Sequence, residues 1–396
     1  MNLPLEGVRV VDLSAVVLGP YASQTLADYG ADVIKIEPPE GDSTRNTGPS
    51  TEPGMGAIFL GVNRGKRSVV LDLKRADERE MLLRLVDTAD VVMHSIRPQK
   101  LKALGLDPEA LMARNTRLIY VGLHGFGEDG PYGGQPAYDD IIQGMSGCAA
   151  LMQQQGGSPR YFPTVAADKT CGLVATHAIL AALFGRERTG KGTYVEVPMF
   201  EAMTAYNLVE HYYGHHFQPP LADTMGYPRV LAKHRKPFAT RDGFICMMPY
   251  TNAHWHRFFV ETGYADAAAD SRFTTIGERT KNIEALYELA AGIIATRSTA
   301  EWVSLCARLE IPAARVNALD DLEDDAHLRA TGFFQTIDDP KMGRLSFPSP
   351  PARFDGQQIP VRMAPRLGEH TEAVLRELAA GAAPQAAPSS TEPGPS

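Results

Sequence analysis

Asp168 is the residue whose type and position best fit covalent chemistry. It lies in the stretch YFPTVAADKTCGLVATHAILAALFGRERTGKG, where an extended segment gives way to small and apolar residues at helical spacing. A carboxylate can act as a covalent nucleophile. Aspartate is also a favoured N-cap, because its side chain accepts hydrogen bonds from the first free N–H groups of a helix. The residues alone favour the N-cap, although the small neighbours Ala166, Ala167 and Gly172 would let a bulky ligand approach the carboxylate.

Two glycine-rich stretches match nucleotide-binding patterns in spacing but not in context. The stretch 125–130 fits GxGxxG after a predicted strand, yet Pro131 and two further glycines follow where a helix would have to begin. The stretch 185–191 has the spacing of a P-loop, but Gly192 stands where Ser or Thr must hold magnesium, and the order is helix, turn, strand. We therefore predict no nucleotide site at either stretch.

Metal and disulfide patterns are weak as well. His211 and His215 lie four apart on a predicted helix, and His254 and His256 form the motif HWH, but no HExxH glutamate or third ligand accompanies them. We predict no metal and no tightly bound cofactor. The widely spaced cysteines contain no CxxC pair, and we interpret them as small buried apolar residues. They are Cys148, Cys171, Cys246 and Cys306.

The composition is that of a soluble globular protein. The chain has 396 residues, of which 44% are hydrophobic and 22% charged, and its formal net charge is -8. Such a chain is too long for one ordinary core, and its charge does not favour nucleic acid as a partner. The start MNLPLEGVRVVDLS lacks the features of a secretory signal, and no run approaches the ~18 apolar residues of a membrane span. We expect a cytoplasmic protein with no membrane partner.

The elements that must hold Asp168 alternate between strand and helix patterns. Strands are predicted at VRVVDLS, DVIKIE, VVMHS, LIYVGLH and GTYVEVPMF, and helices at 20–30, 76–88 and 168–186. This alternation predicts an α/β fold, with a Rossmann-like large domain built on a parallel sheet. A smaller α+β domain follows, with an Asp242-Gly243 hairpin signal and helices near 253–262, 279–297 and 299–309. The predicted divisions are 1–200, a linker at 201–224, the small domain at 225–330, a return to the large domain at 331–378, and a disordered tail at 379–396.

Several stretches together resemble the family III CoA-transferases, the formyl-CoA transferase and carnitine CoA-transferase group, also called CaiB/BaiF-like. The longest is LEGVRVVDLSAVVLGPYASQTLADYGADVIKIEPPEGDSTR at the start. NRGKRSVVLDLK, ADVVMHSIRPQKLKALGL, YVGLHGFGEDGPYGGQPAYDDIIQGMSG and RTGKGTYVEVPMFEAM extend the likeness along nearly the whole chain. The combination is more specific than any one stretch. Asp168 falls at the catalytic aspartate position of the family.

The resemblance implies a CoA-transferase that moves CoA from an acyl-CoA to a carboxylic acid, with succinyl-CoA a candidate donor and a dicarboxylic acid a candidate acceptor. Asp168 would form an aspartyl anhydride and then an aspartyl-CoA thioester. The resemblance also implies an interlocked homodimer. A second interpretation is an α-methylacyl-CoA racemase or epimerase of the same family, and a third is a non-catalytic CoA-binding protein, favoured if Asp168 is buried and capped.

Tyr138 separates the first two interpretations. Racemases of the family have a His in a Gly-His-Asp context at this position, because inverting an α-carbon needs an acid and a base on opposite faces. The matching stretch here is Pro-Ala-Tyr-Asp-Asp, and a tyrosine phenol ordinarily has a pKa of about 10, which makes it a poor base near neutral pH. The resemblance therefore favours transfer, with Tyr138 in a supporting role. A helix-end aromatic in the core is the structural alternative for this residue.

The resemblance also supplies candidate CoA-binding residues. They are Val17, Leu18, Leu71, Asp72, Leu73, Lys74, Ser95, Ile96, Arg97 and Lys102. Two positions depart from the family, since Pro38 and Ala103 stand where basic residues are usual. CoA phosphates need cationic partners, so we infer that Arg97, Lys100 or Lys102 supplies part of that contact. A solvated basic helix start explains Lys100 equally well.

The acceptor site is the least specific part of the pattern. The family's glycine-rich loop over the aspartate has no counterpart between residues 217 and 236, where Gly226 is the only glycine. A basic cluster stands there instead, comprising Arg229, Lys233, His234, Arg235 and Lys236. Arg229, His234 and Arg235 are candidates for binding the far carboxylate of a dicarboxylic acid such as succinate or glutarate. A solvated face at a domain boundary is the alternative.

Overall fold

The computed structural model describes residues 2–154 and 156–381, and the chain divides into two compact units. Unit 1 contains the residues up to 146, residues 162–205 and the described residues from 326 onward. Unit 2 contains residues 147–161 and 206–325. The segment 147–161, which the sequence pattern assigned to the large domain, thus groups with the smaller unit.

Unit 1 is built on a six-stranded, wholly parallel sheet, so the predicted α/β fold with a parallel sheet is confirmed. Its strands are β1 (Arg9–Leu13), β2 (Asp32–Glu37), β3 (Arg67–Val70), β4 (Val91–His94), β5 (Ile119–His124) and β6 (Thr193–Pro198). Their spatial order is β3-β2-β1-β4-β5-β6. The order of a doubly wound sheet reverses between β1 and β4, and ligands bind at the carboxyl ends of the strands beside such a switch point.

The first 211 residues also form nine of the helices in the described part of the chain. They are α1 (Leu18–Asp28), α2 (Ala57–Val62), α3 (Ala76–Asp87), α4 (Pro98–Leu104), α5 (Pro108–Arg114), α6 (Asp139–Met145), α7 (Cys148–Gln154), α8 (Ala166–Thr189) and α9 (Met199–His211). Helix α7 belongs to unit 2, and α9 runs from one unit into the other.

Helix α8 carries Asp168 and packs along α1. Its buried residues, among them Ala167, Cys171, Ala175 and Ile179, recur at helical spacing and join the core over the sheet. An ideal Cβ on Gly172 would lie 2.9 Å from the carbonyl oxygen of Leu18 in α1. Ala167 and Gly172 therefore let a helix approach, and the expectation that they leave room for a ligand was wrong.

Helix α8 is also long and apolar enough to cross a membrane, judged by length and composition alone. The sequence expectation that no run approaches such a span was therefore too strict. Of its most apolar window, 44% is buried inside the protein. A core helix of a soluble protein has the same character, so this finding is weak evidence for a membrane span.

Buried ion pairs support the carboxyl ends of β1 and β2. The Asp12 carboxylate accepts hydrogen bonds from the Ser14 backbone N–H at 2.8 Å, the Ser23 hydroxyl at 2.5 Å and the Lys66 ammonium at 3.4 Å. The Ser14 hydroxyl also donates to it. Burial lowers the pKa of Lys66 to about 7, and the Asp12 carboxylate opposes this shift. Buried charges are tolerated when they are paired and hydrogen-bonded in this way.

Unit 2 has its own core and a three-stranded antiparallel sheet. Its strands are β7 (Phe238–Ala239), β8 (Phe244–Met247) and β9 (Ala313–Arg315), and its later helices are α10 (Pro228–Leu231), α11 (Asn252–Glu261), α12 (Ala265–Ala269), α13 (Ile276–Lys281), α14 (Ile283–Ile294) and α15 (Thr299–Arg308). The predicted hairpin at Asp242-Gly243 joins β7 to β8 and is confirmed.

Two further predictions were wrong in detail. The helix expected over 279–297 is two helices, because the Asn282 side chain donates to the Glu278 carbonyl oxygen and competes with the helical backbone. Of the four cysteines only Cys171 and Cys306 are buried, whereas Cys148 is partly exposed and Cys246 is exposed on β8. Cys246 faces outward because the side chains of a strand alternate between its two faces.

The C-terminal segment returns to unit 1. Its elements are α16 (Ala326–Ala330), β10 (Phe334–Asp339), β11 (Gly343–Pro348), β12 (Arg353–Phe354), β13 (Gln357–Gln358) and α17 (Thr371–Ala380). The Thr371 hydroxyl and the His370 ring accept hydrogen bonds from Val70 and Ser68 N–H groups on the edge strand β3. Helix α17 extends two residues into the predicted tail at 379–396, the rest of which, from 382 onward, lies outside the described residues.

Replacing Gly172 with alanine is expected to destabilise the protein. Helix propensity favours alanine by about 1 kcal/mol, but crowding a packed backbone costs about 1–3 kcal/mol, so the net effect is a loss. Gly185 is the matched control, because it lies in the same helix and no heavy atom would lie within 4 Å of its added Cβ. Urea denaturation of Gly172→Ala and Gly185→Ala should move the unfolding midpoint in opposite directions. Equal midpoints would show that the contact between α1 and α8 does not limit stability.

Candidate active site

A cavity of about 510 Å³ opens at the carboxyl ends of β1, β4 and β5 in unit 1. The turn after β1, the turn after β4 and the end of β5 contribute to its wall, as do the segment before α6 and the first turn of α8. Its lining includes Leu18, Ser95, Arg97, Tyr138 and Asp168. These five residues come from four separate stretches of the sequence, and all five were candidate site residues.

Asp168 lies in the first turn of α8 but does not cap the helix. The N-cap is Val165, which has no side-chain capping bond, and Asp168 is the third residue of the helix. The N-cap interpretation was therefore wrong. Among the residues that the structure describes, no donor forms a hydrogen bond to the Asp168 carboxylate, and the neighbouring Lys169 ammonium donates to the Thr164 hydroxyl instead. The carboxylate is partly buried and unpaired at the cavity wall.

Asp139 supplies the capping that α8 lacks. Its Oδ1 accepts the backbone N–H of Asp168 at 3.0 Å, so a carboxylate of α6 satisfies one of the free N–H groups in the first turn of α8. Its Oδ2 accepts from the Gln143 amide at 2.6 Å, and the same amide donates to the Thr164 carbonyl oxygen just before α8. The buried pair Asp139 and Gln143 therefore fixes where α8 begins.

The pKa of Asp168 is raised to about 7. Burial is the larger cause, since it disfavours the charged carboxylate, and the nearby charge of Asp139 adds to it. A strongly shifted carboxyl group at a cavity wall is a common feature of catalytic sites. Ionised Asp168 is the nucleophilic form, and the raised pKa means that a protonated population persists closer to neutral pH than for an ordinary aspartate.

Tyr138 is the residue before α6 and reaches into solvent. It is 70% exposed and lines the cavity with Asp168. The alternative interpretation of Tyr138 as a core aromatic was therefore wrong. Its exposed hydroxyl can rotate toward a molecule bound in the cavity.

The turn after β1 holds an unusual backbone conformation at the switch point. Val16 has φ of 71°, a left-handed value that is a genuine outlier for a β-branched residue. Neighbouring bonds hold it there, since the Ala15 N–H donates to the Ser95 hydroxyl at 3.2 Å and the Val16 N–H donates to Asp42 at 3.4 Å. Backbone strain of this kind is often found at ligand sites, and both Ala15 and Val16 line the cavity.

Two unpaired cations line the cavity. Arg97 and Lys100 are exposed, and within the described ranges no carboxylate lies within ion-pair distance of either side chain. Lys102, also exposed, does not line the cavity. The other CoA-binding candidates outside the lining are Val17, Leu71, Asp72, Leu73, Lys74 and Ile96. Leu71–Lys74 follows the edge strand β3, which is separated from β1 by β2.

Two histidines in the site region did not emerge from the sequence. His124, which lines the cavity, and the buried His94 end the adjacent strands β5 and β4, with ring centroids 5.6 Å apart. Burial, with a smaller effect of His124, lowers the pKa of His94 to about 3, and burial also lowers the pKa of His124. Polar residues at the ends of the strands in VVMHS and LIYVGLH were the available signal.

The predicted acceptor residues lie in unit 2 and do not form one cluster. The Arg229 guanidinium stacks over the Tyr250 ring at 5.3 Å and contacts Met248. Arg235 lines a different and larger cavity, and His234 lines neither this cavity nor the one beside Asp168. The sequence spacing alone had suggested a single cationic patch.

The fold and the site geometry fit acyl transfer, and the chain belongs to CoA-transferase family III, whose model matches residues 5–371. It is therefore an enzyme of the CoA-transferase class, and the predicted family is confirmed. A succinate–glutarate CoA-transferase of Agrobacterium fabrum is 32% identical over 391 residues, covering 95% of this chain and 96% of the relative. A probable fatty acyl-CoA transferase of Mycobacterium tuberculosis is 36% identical over 318 residues, covering 76% of this chain and 79% of the relative.

Solved structures agree with this assignment. A CaiB/BaiF family protein from Brucella suis superposes with a TM-score of 0.79 at 33% identity, covering 96% of this chain and 100% of that one. The Mycobacterium tuberculosis protein in its orthorhombic form gives 0.80 at 31% identity, with 94% and 99% covered. The likeness therefore spans both units of the chain.

Replacing Asp168 with asparagine is expected to stabilise the folded protein at higher pH. The pKa of Asp168 is raised in the folded state, so between about pH 4 and pH 7 the folded state binds the proton more tightly than the unfolded state, and stability falls as the pH rises. Urea denaturation at about pH 8 should give Asp168→Asn an advantage on the order of 1–2 kcal/mol after allowing for partial exposure, and at about pH 5 a smaller one.

The exposed neighbour Asp140 is the control for this measurement. Surface substitutions usually change stability by less than about 0.5 kcal/mol, so Asp140→Asn should behave like the wild type at both pH values. If Asp168→Asn is less stable than the wild type at about pH 8, the Asp168 carboxylate has a stabilising partner and is not the unpaired group described above.

Proposed function

We propose that this enzyme moves CoA from an acyl-CoA to a carboxylic acid through covalent intermediates on Asp168. The observation that carries the proposal is an unpaired, partly buried carboxylate in the cavity beside the switch point of a parallel sheet. Its backbone is held by Asp139 while its oxygens remain free, which is the arrangement a nucleophile needs.

The reaction requires four exchanges at acyl carbons. An Asp168 oxygen attacks the thioester carbonyl of the donor, which forms a mixed anhydride and releases CoA as a thiolate. The thiolate attacks the aspartyl carbonyl, which releases the donor acid and leaves an aspartyl-CoA thioester. The acceptor carboxylate attacks that thioester, which forms a second anhydride and releases the CoA thiolate again. The thiolate then attacks the acceptor carbonyl of this anhydride, which forms the product thioester and expels the Asp168 carboxylate. Asp168 is regenerated and the thioester is conserved, so no nucleotide triphosphate is consumed.

Tyr138 and the cavity cations support these steps. A phenol O–H beside Asp168 can donate to the aspartyl carbonyl oxygen as charge develops on it. Arg97 and Lys100 are free to pair with the phosphates of CoA, and Leu18 and Ser95 line the same cavity. Lys74 and Lys102 are exposed basic residues outside the cavity lining. If they contact the CoA phosphates, they do so outside the cavity.

Succinyl-CoA as donor and a dicarboxylic acid as acceptor are the substrates we propose. Two relatives support this choice. They are named succinyl-CoA:glutarate CoA-transferase and succinyl-CoA:mesaconate CoA-transferase, and the match to each of them includes 95% of this chain. Arg229 is already engaged by aromatic and sulfur groups of unit 2, and Arg235 lines the separate cavity of that unit, so we assign neither residue to the acceptor.

We also propose that the chain works as an interlocked homodimer. Large apolar side chains remain exposed along α8 and α9 in the single chain, including Leu173, Phe184, Tyr206 and Val209. Exposed apolar patches of this kind are typical of protein interfaces. Native mass spectrometry should give the mass of a dimer, and a monomeric mass at assay concentration would contradict the proposal.

Asp168→Ala is expected to abolish transfer while leaving CoA binding intact. The substitution removes the nucleophile but none of the cations, so the CoA dissociation constant measured by calorimetry should stay within about threefold, whereas turnover falls by about 10⁴-fold or more. Asp140→Ala is the control and should retain activity.

Trapping with hydroxylamine or borohydride, followed by peptide mass spectrometry, should modify Asp168 in the wild type. Exchange of the α-proton without such an adduct would support a racemase instead.

A screen of acids with succinyl-CoA tests the proposed acceptor. Dicarboxylic acids should be used at least about tenfold more efficiently than monocarboxylic acids of equal length, because a second charge-assisted hydrogen bond is available to them. Exclusive use of monocarboxylic acids would show that the proposed acceptor class is wrong.

A further inference from the structure

Unit 2 contains a cavity larger than the one beside Asp168. Its volume is about 790 Å³, which is within the range of small-molecule sites. Phe238 of β7, Met247 of β8, Trp255 of α11 and Tyr287 of α14 form much of its wall. These four side chains also belong to the apolar core of the unit, so the floor of the cavity is continuous with a packed core.

Two basic residues line the same cavity. Arg235 and Lys236 stand in the segment between α10 and β7, and the lining contains no aspartate or glutamate. Within the described ranges neither side chain forms an ion pair, and the Arg235 Nε is buried without a hydrogen-bond partner. A buried guanidinium N–H without an acceptor is unfavourable, and a bound anion would provide that acceptor.

We propose that this cavity binds a monocarboxylic acid with an extended apolar chain. The carboxylate contacts Arg235 and Lys236, and the chain lies along Phe238, Met247 and Trp255. An apolar wall with a few charged groups at one end is the general pattern of sites for amphipathic molecules. The proposal goes beyond the transfer reaction, because every lining residue belongs to unit 2 whereas Asp168 belongs to unit 1.

Two side chains of the wall report on occupancy. The chain has two tryptophans, and Trp302 is fully buried in the core, so a ligand in the cavity changes the fluorescence of Trp255. Cys246 is an exposed free thiol in the lining, so a ligand protects it from alkylation. One readout is optical and the other chemical, and neither requires turnover.

Titration of the full-length protein with decanoate tests the proposal. Decanoate should change the Trp255 emission saturably and slow the alkylation of Cys246 by N-ethylmaleimide. Glutarate lacks the chain and decanol lacks the charge, so each should bind at least about tenfold more weakly. Asp168→Ala should bind decanoate as the wild type does. Loss of transfer with retained decanoate binding therefore separates this proposal from the proposed function.

Variants of the wall sharpen the test. Arg235→Met keeps the apolar volume but removes the charge, and it should weaken decanoate binding by about tenfold or more. Ala314→Phe fills the cavity from the exposed face of β9 and should abolish binding. Lys233→Met is the matched control, because Lys233 is exposed in the same segment but lies outside the lining, and it should bind normally.

Three results would overturn the proposal. Equal affinity for decanoate and decanol, or unchanged affinity in Arg235→Met, would show that the cations do not recognise a carboxylate. A Cys246 thiol that reacts equally fast with and without saturating decanoate would place the ligand elsewhere. A Cys246 thiol that is already protected in the ligand-free protein would show that protein covers the cavity, either a second copy or another segment.

Discussion

The buried Asp12 carboxylate is the interaction on which the geometry of unit 1 depends. It gathers two hydroxyls, a backbone N–H and the Lys66 ammonium at the carboxyl end of β1, with no exposure to solvent on either charge. The chain that leaves β1 must therefore turn within a few residues into α1, and Val16 takes a left-handed conformation in doing so. That turn lines the cavity through Ala15 and Val16, and it leads directly into α1, against which α8 packs at Gly172.

The second constraint is electrostatic and lies at Asp168. Asp139 uses one oxygen to fix the Asp168 backbone, yet its charge disfavours ionisation of the Asp168 side chain. The same contact thus gives the carboxylate a fixed position and a raised energy in its charged form. A carboxylate that gained hydrogen bonds from the protein would be more stable and less reactive. The hydrogen bond to the Asp168 main chain therefore fixes the position of the carboxylate without stabilising its negative charge.

Sequence patterns predicted the parallel α/β fold, the hairpin at Asp242-Gly243 and the location of Asp168 at a helix start, because these depend on local periodicity and turn chemistry. Sequence patterns did not predict contacts between residues that are distant in the chain. The capping of α8 comes from Asp139 on another helix, and the pairing of Asp12 with Lys66 joins residues 54 positions apart. The prediction of a single basic cluster at 229–236 was wrong for the same reason. Arg229 and Arg235 are close in sequence, but their side chains lie in different surroundings.

The left-handed turn at Val16 has a thermodynamic consequence for any molecule that enters the cavity of unit 1. A flexible loop must lose conformational entropy when a ligand orders it, and that loss subtracts from the binding free energy. Here the ordering is complete once the chain has folded, because the Ser95 hydroxyl and the Asp42 carboxylate already hold the turn. The strain at Val16 is therefore a cost to the free energy of folding and not to the free energy of binding, because the ligand binds a surface that is already ordered.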